Sequence, residues 1–210
     1  QHICNHSDNQ GRYAYDQQPY IGLWNCYALG QTFMGLVDDK EAIVSALQTY
    51  QSQYEQHYHH LMWQKLGLAN APEPAFIEKT LSLLQHNRLD YTRFFSRLAY
   101  FAQDQGQSIR QDCLDITQFD EWVMGYQQRL PASAADTGNW QAKMQATNPR
   151  YILRNHLAEQ AIKQAQEGDF GLVSTLASVL AQPFAEHLGH EHLAEEPPDW
   201  ARRISVSCSS

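Results

Sequence analysis

Three sets of residues have side chains and spacings that could do chemistry. The first is the opening run Ile3-Cys4-Asn5-His6-Ser7-Asp8-Asn9-Gln10-Gly11-Arg12-Tyr13, continuing through Asp16-Gln17-Gln18-Pro19 to Gly22-Leu23-Trp24-Asn25. It crowds polar, turn-forming and aromatic residues more densely than a connector needs. Cys4 or Cys208 with His6 would be the raw material of thiol-dependent hydrolysis, but no oxyanion donor or orienting partner accompanies them. The second set is His57, His59 and His60, with His187, His190 and His192 later in the chain. His57 and His60 are expected to share a helix face, as are His187 and Glu191. No H-E-x-x-H or comparable ligand spacing occurs, so solvated helix histidines are the simpler reading. The third set is Asp169-Phe170-Gly171, which spells the metal-binding D-F-G of kinases. No H-R-D loop, G-x-G-x-x-G loop or strand-borne lysine goes with it, and Gly168 stops a helix just before it. Asp169 therefore reads as an N-cap and Phe170 as a staple into the core.

Composition narrows the classes further. At 210 residues with 43% hydrophobic content, the chain can bury a substantial core. No run approaches the roughly 18 to 20 apolar residues of a membrane span, and no signal segment opens the chain, so no membrane is expected. A net charge of −8 with 15 scattered Lys and Arg argues against a nucleic-acid groove. The four cysteines, Cys4, Cys26, Cys113 and Cys208, form no C-x-x-C pair, which points to a reducing, cytoplasm-like compartment. Cys26 and Cys113 stand among apolar neighbours and read as small core residues. A chain that opens at Gln1, three residues before a loop cysteine, reads as part of something longer.

The elements that must position these residues are helical almost throughout. From Asp38 to Gly67, Ile43, Val44, Leu47, Tyr50, Tyr54, Tyr58, Leu61, Met62 and Leu66 recur at three- and four-residue steps, predicting one long helix. Pro74 opens a helix through Phe76, Ile77, Leu81 and Leu84. Asp90 caps the next, with Phe94, Phe95, Leu98 and Phe101, stopping at Gly106. Thr117 with Asp120 and Glu121 is expected to cap a segment bearing Phe119, Trp122, Val123 and Tyr126, which Pro131 closes. Asn148-Pro149 is expected to start a helix that Gly168 ends, and Asp169 to start a shorter one halted by Gln182-Pro183. No strand alternation and no repeat is evident. The fold class is all-α, and the chain reads as a single helical unit: a loop over 1–25, a helical body over 26–183 and a tail over 184–210.

Three blocks together resemble the C-terminal part of the selenoprotein O family of kinase-like protein nucleotidylyltransferases. They are Cys4-Asn5-His6-Ser7-Asp8 with Gln10-Gly11-Arg12-Tyr13 and Ile21-Gly22-Leu23-Trp24-Asn25; Asn148-Pro149-Arg150-Tyr151 with Leu153-Arg154-Asn155; and Pro197-Pro198-Asp199-Trp200-Ala201 with the ending Ser207-Cys208-Ser209-Ser210. Cys26 departs from the pattern, where the family is expected to have Leu. The resemblance implies the helical end of a protein-kinase-like lobe. It implies an enzyme that, with ATP and Mg or Mn, moves AMP onto Ser, Thr or Tyr hydroxyls of target proteins. The lysine, arginines, asparagine and aspartates of that chemistry precede the first block in the family. Hence no catalytic, metal or cofactor-binding residue is assigned here, and this chain alone is expected neither to bind ATP nor to transfer AMP. Its implied partners are the missing N-terminal kinase-like region and hydroxyl-bearing protein substrates. Its implied location is cytoplasmic, or mitochondrial if eukaryotic.

The resemblance also bears on two sets of residues. Cys4 and Cys208 are either two free thiols or a redox-sensitive pair; eukaryotic family members carry selenocysteine third from the end, where Cys208 stands. A bond between them would close nearly the whole chain, stabilising by about 5 kcal/mol as an upper bound. Arg12, Tyr13 and Asp16 with Gln17 follow, by kinase analogy, the metal aspartate and lie where substrates dock; alternatively they belong to a packed loop. Arg150, Arg154 and Asn155 are candidates for bracing that loop. The competing class is a free-standing helical interaction module without catalysis, which a start codon just before Gln1 would favour.

Overall fold

The computed structural model describes residues 8–134 and 137–204, and every regular element among them is helical. Cys4, His6 and Cys208 lie outside the described residues. The helices are α1 Gln18–Thr32, α2 Lys40–Leu66, α3 Pro74–Asn87, α4 Tyr91–Leu98, α5 Phe101–Asp104, α6 Gln107–Arg110, α7 Ile116–Gln127, α8 Thr137–Thr147, α9 Asn155–Gln166 and α10 Gly171–Ala181, with short 3-10 turns between them. Contacts group the described residues into two units, one up to Tyr58 with Arg203 and Ile204, the other from His59 to Arg202. Helix α2 runs across the division.

Local chemistry explains most boundaries. Asp39 Oδ1 accepts from the Ala42 amide at 3.1 Å and opens α2. Gly67, at φ 62°, ends it in a left-handed turn that few other residues adopt cheaply. Pro74 occupies the first turn of α3. Asp90 caps α4 through the Arg93 amide at 2.9 Å.

Several starts differ from the sequence expectation. The opening loop was expected to reach residue 25, but α1 begins at Gln18 with Pro19 in its first turn. The helix expected from Asp90 to Gly106 breaks into α4 and α5, and α6 follows beyond Gly106. Gln105 and Gly106 both take positive φ, and the Asp104 carboxylate receives the amides of Gly106 and Ser108. Asp115, not Thr117, caps α7 by accepting from the Gln118 amide at 3.0 Å. Residues 148–154 are not helical, and α9 starts only at Asn155.

The core lies in the second unit and is aromatic. Trp122 stacks on Tyr126 at 4.8 Å between ring centroids and meets the Phe94 ring edge-on at 5.4 Å. Their polar atoms are satisfied: Trp122 Nε1 donates to Thr80 Oγ1 at 2.9 Å and the Tyr126 hydroxyl to the Leu66 carbonyl at 2.8 Å. A second cluster joins Tyr151, Leu157 and Ala161 to Leu176, Val179 and Leu193, seating α9 on α10. Cys26 and Cys113 were expected in the core and are only half-buried.

Candidate functional site

The opening loop folds around Asp8. Its carboxylate receives the amides of Arg12 at 2.9 Å and Tyr13 at 2.7 Å, and its carbonyl receives the Gly11 amide at 3.1 Å. The chain then steps through Ala14 onto Gly11 and Gln17 onto Ala14 into α1. Gln18 Nε2 closes the turn on the Tyr13 carbonyl at 2.7 Å. The amides of Gly11, Arg12, Tyr13, Ala14 and Gln17 are thus bonded within the loop, as Asn, Asp and Gly turns allow. Its side chains remain available. The Arg12 guanidinium lies over the Trp24 ring at 5.0 Å and the Tyr13 ring at 5.6 Å, and among the described residues no carboxylate pairs with it. Asp16 is exposed within the turn Tyr15–Gln17 and borders a cavity of about 180 Å³ lined by Tyr20, Tyr50 and Tyr54 with Glu55. Tyr50 reaches back to the Pro19 carbonyl at 3.1 Å, tying α2 to the start of α1. The loop therefore places Arg12 and Tyr13 side by side and Asp16 beside the tyrosine cavity.

The Asn148 to Asn155 block is a strap rather than a helix start. Asn148, fully buried, donates to the Lys65 carbonyl at 2.9 Å and accepts from Lys65 Nζ at 3.1 Å. Lys65 Nζ also lies 5.0 Å from the Phe95 ring centroid, and burial lowers its pKa from the ordinary value. The amides of Arg150 and Tyr151 both donate to the Pro183 carbonyl. Arg150 pairs with Glu186 at 2.8 Å, and Arg154 grips Asp90 with both terminal nitrogens, at 2.6 and 3.1 Å. The arginines offered as braces for the opening loop thus take Glu186 and Asp90 as partners.

Asp90 is the electrostatic centre of this strap. Burial works to raise its pKa, but the Arg154 hydrogen bonds and the Arg93 amide outweigh it and hold the carboxyl below its usual value. His156 is buried nearby, and burial together with Arg154 lowers its pKa. Its Nδ1, the Arg154 Nε and the Tyr151 hydroxyl are buried with no hydrogen-bond partner among the described residues.

A cavity of about 780 Å³ opens in the same unit between Arg93, Arg97, Tyr100, Arg150, Glu186 and Glu195. Its cations are already engaged: Arg93 with Glu196, Arg97 with Asp112 and Arg150 with Glu186. A site compensated in this way offers no net field to a phosphate.

The remaining candidate residues are placed as follows. Asp169 Oδ1 accepts from the Gly171 amide at 2.8 Å, so it serves the first turn of α10, with Phe170 as the formal cap residue. Phe170 is not the expected core staple: it is 61% exposed. His57 and His60 lie exposed on α2, His60 with its ring edge on Trp63. His187 lies outside any helix, against the Tyr151 ring and the Gln182 carbonyl, and shares no helix face with Glu191. Burial pushes the Cys113 thiol up to about 11. Among the described residues no group of three or more His, Cys, Asp or Glu is placed to hold a metal ion. None of their helices is long and apolar enough to cross a membrane. Sequence reasoning missed Lys65 and Asp90 as partners of the strap, since only long-range pairing reveals them.

The family model for protein adenylyltransferase SelO matches residues 1–181. The chain belongs to the SelO family. Similar proteins include the protein nucleotidyltransferase YdiU of Herminiimonas arsenicoxydans, 43% identical over 214 residues covering 100% of this chain and 43% of that protein. The protein of the same name from Myxococcus xanthus is 43% identical over 213 residues, covering 99% of this chain and 43% of its own length. That from Shewanella baltica OS185 is 41% identical over 218 residues, covering 99% and 45%. The chain thus spans less than half the length of these SelO-family relatives.

Proposed function

We propose that this chain is the C-terminal helical part of a kinase-like protein adenylyltransferase. That enzyme, with ATP and a divalent metal, transfers AMP to Ser, Thr or Tyr hydroxyls of target proteins. The observation that carries the reading is the match of the whole chain to relatives named protein nucleotidyltransferases. The residues that would cradle phosphates and metal belong to the preceding region, and this chain completes the lobe. Arg12, Tyr13 and Asp16 form the substrate-side loop, held by the Asp8 turn so that their side chains stay exposed. Cys4 and Cys208 form the redox-sensitive pair.

The deciding experiment supplies α-labelled ATP and Mg to the full-length protein and to this chain alone. Label should pass to protein hydroxyls only with the full-length protein. Micromolar binding of Mg-ATP to the chain alone by calorimetry would overturn the assignment of roles. In the same assay, Arg12→Glu in the full-length protein should lower AMP transfer at least about tenfold with its melting temperature unchanged, the signature of a lost contact rather than a lost fold. Mass mapping of non-reduced peptides tests the pair: recovery of Cys208 only as a free thiol under oxidising conditions removes it.

A further inference from the structure

Helix α1 contains no charged residue, yet Gly30 is its only buried one. A helix that is apolar or neutral all round is normally covered on more than one side. One side of α1 meets α2 closely. A Cβ on Gly22 would stand 2.5 Å from the Tyr50 hydroxyl, and one on Gly30 3.1 Å from Ile43. On an adjoining flank Tyr20, Trp24 and Tyr27 recur at i, i+4 and i+7, exposed at 69%, 56% and 43%. Past the helix end Met34 and Leu36 are exposed as well, at 46% and 82%. Apart from the Arg12 guanidinium over Trp24, this surface offers aromatic and Met side chains, the composition of an interface core, and a patch of this kind marks a docking site.

Charge selects the occupant. Residues 8–58 carry six carboxylates against Arg12 and Lys40 alone. Asp16 and Glu55 border the 180 Å³ cavity where Tyr20, Tyr50 and Tyr54 converge, and among the described residues no cation pairs with either. Tyrosine faces with nearby carboxylates favour a guanidinium or ammonium group. A second copy of this acidic surface would bring like charges together.

We propose that the Tyr20–Trp24–Tyr27 flank of α1 is the seat of the preceding part of the same polypeptide. That part sends a basic side chain into the cavity between Tyr20, Tyr50 and Tyr54. Relatives more than twice as long as the region this chain matches leave length for such a segment, and the inference rests on the reading of the chain as the C-terminal part of a longer nucleotidyltransferase.

Hydroxyl-radical footprinting of the full-length protein tests it, with Met124, 59% exposed in the second unit, as the reference for Met34. Met34, Tyr20 and Trp24 should label roughly tenfold or more below Met124, because an interface core excludes solvent. Labelling equal to that of Met124 overturns the proposal. Protection that disappears on dilution assigns the face to a second copy and also overturns it. Glu55→Lys should restore labelling of Tyr20 several-fold while Met124 is unchanged; unaltered protection in that variant rejects the basic occupant. AMP transfer is read on the same sample. Protection without transfer would sink the adenylyltransferase reading and leave the docking face, and transfer without protection the reverse.

Discussion

Asp90 does two things with one carboxylate: it caps α4 through the Arg93 amide and neutralises Arg154, whose side chain is 6% exposed. Separating the two roles is possible because Asn is as good a cap as Asp but cannot neutralise a guanidinium. Asp90→Asn should cost about 3–5 kcal/mol, since it leaves a buried cation unpaired. Asp90→Ala should cost about 1 kcal/mol more through the lost cap. Urea denaturation at neutral pH measures both. The sign of the pH dependence follows from the lowered folded pKa. The contribution is fully present above the unfolded value of about 3.9 and is lost as pH falls through the lower folded value. Acid titration of stability should therefore show a drop below about pH 4 in the parent that is smaller in Asp90→Asn, where only other carboxylates such as Asp120 remain to be protonated. An unchanged acid limb in the variant would remove Asp90 from this role.

The helices show how far local signals reach. The long helix α2, the proline start of α3 and the Asp90 cap of α4 were legible in the sequence, because period, proline and cap act within one or two turns, although of the apolar face expected on α2 only Met62 and Leu66 are buried. Asn148-Pro149 misled for a physical reason. The same two residues suit a helix start and an extended strap, and the choice is made by Lys65, 83 positions away, bonding Asn148. The opening loop divides similarly. Its turn residues were recognisable, but the Asp8 clasp on Arg12 and Tyr13 and the seat of Arg12 on Trp24 were not. At α10 the D-F-G spelling and the capping role make different predictions. Asp169→Ala removes one exposed hydrogen bond to the Gly171 amide and should cost about 0.5–1 kcal/mol. It should leave AMP transfer and metal dependence of the full-length protein unaltered. A changed metal requirement at constant stability would restore the metal role.

Stability is divided very unequally across the molecule. Of the described residues up to Tyr58 only Ala14 and Gly30 are buried, whereas the region from His59 onward holds Trp122, Tyr126, Phe94, Phe95, Phe101 and Phe119 at 2% exposure or less. Burial of large apolar side chains is the main favourable term in folding, so the two units must open at very different free energies. In the chain by itself, native-state hydrogen exchange should find the amides of α1 opening at far lower cost than those of α7. The α7 amides should approach the global unfolding free energy, because Trp122 and Tyr126 leave the core only when it is lost. Equal protection of α1 and α7 would mean that the sparse burial around Gly30 understates what holds α1. In the full-length protein the two predictions combine: if the Tyr20–Trp24–Tyr27 flank gains a covering segment, the protection of α1 rises towards that of α7. The α7 amides, already at the limit set by their own core, shift far less.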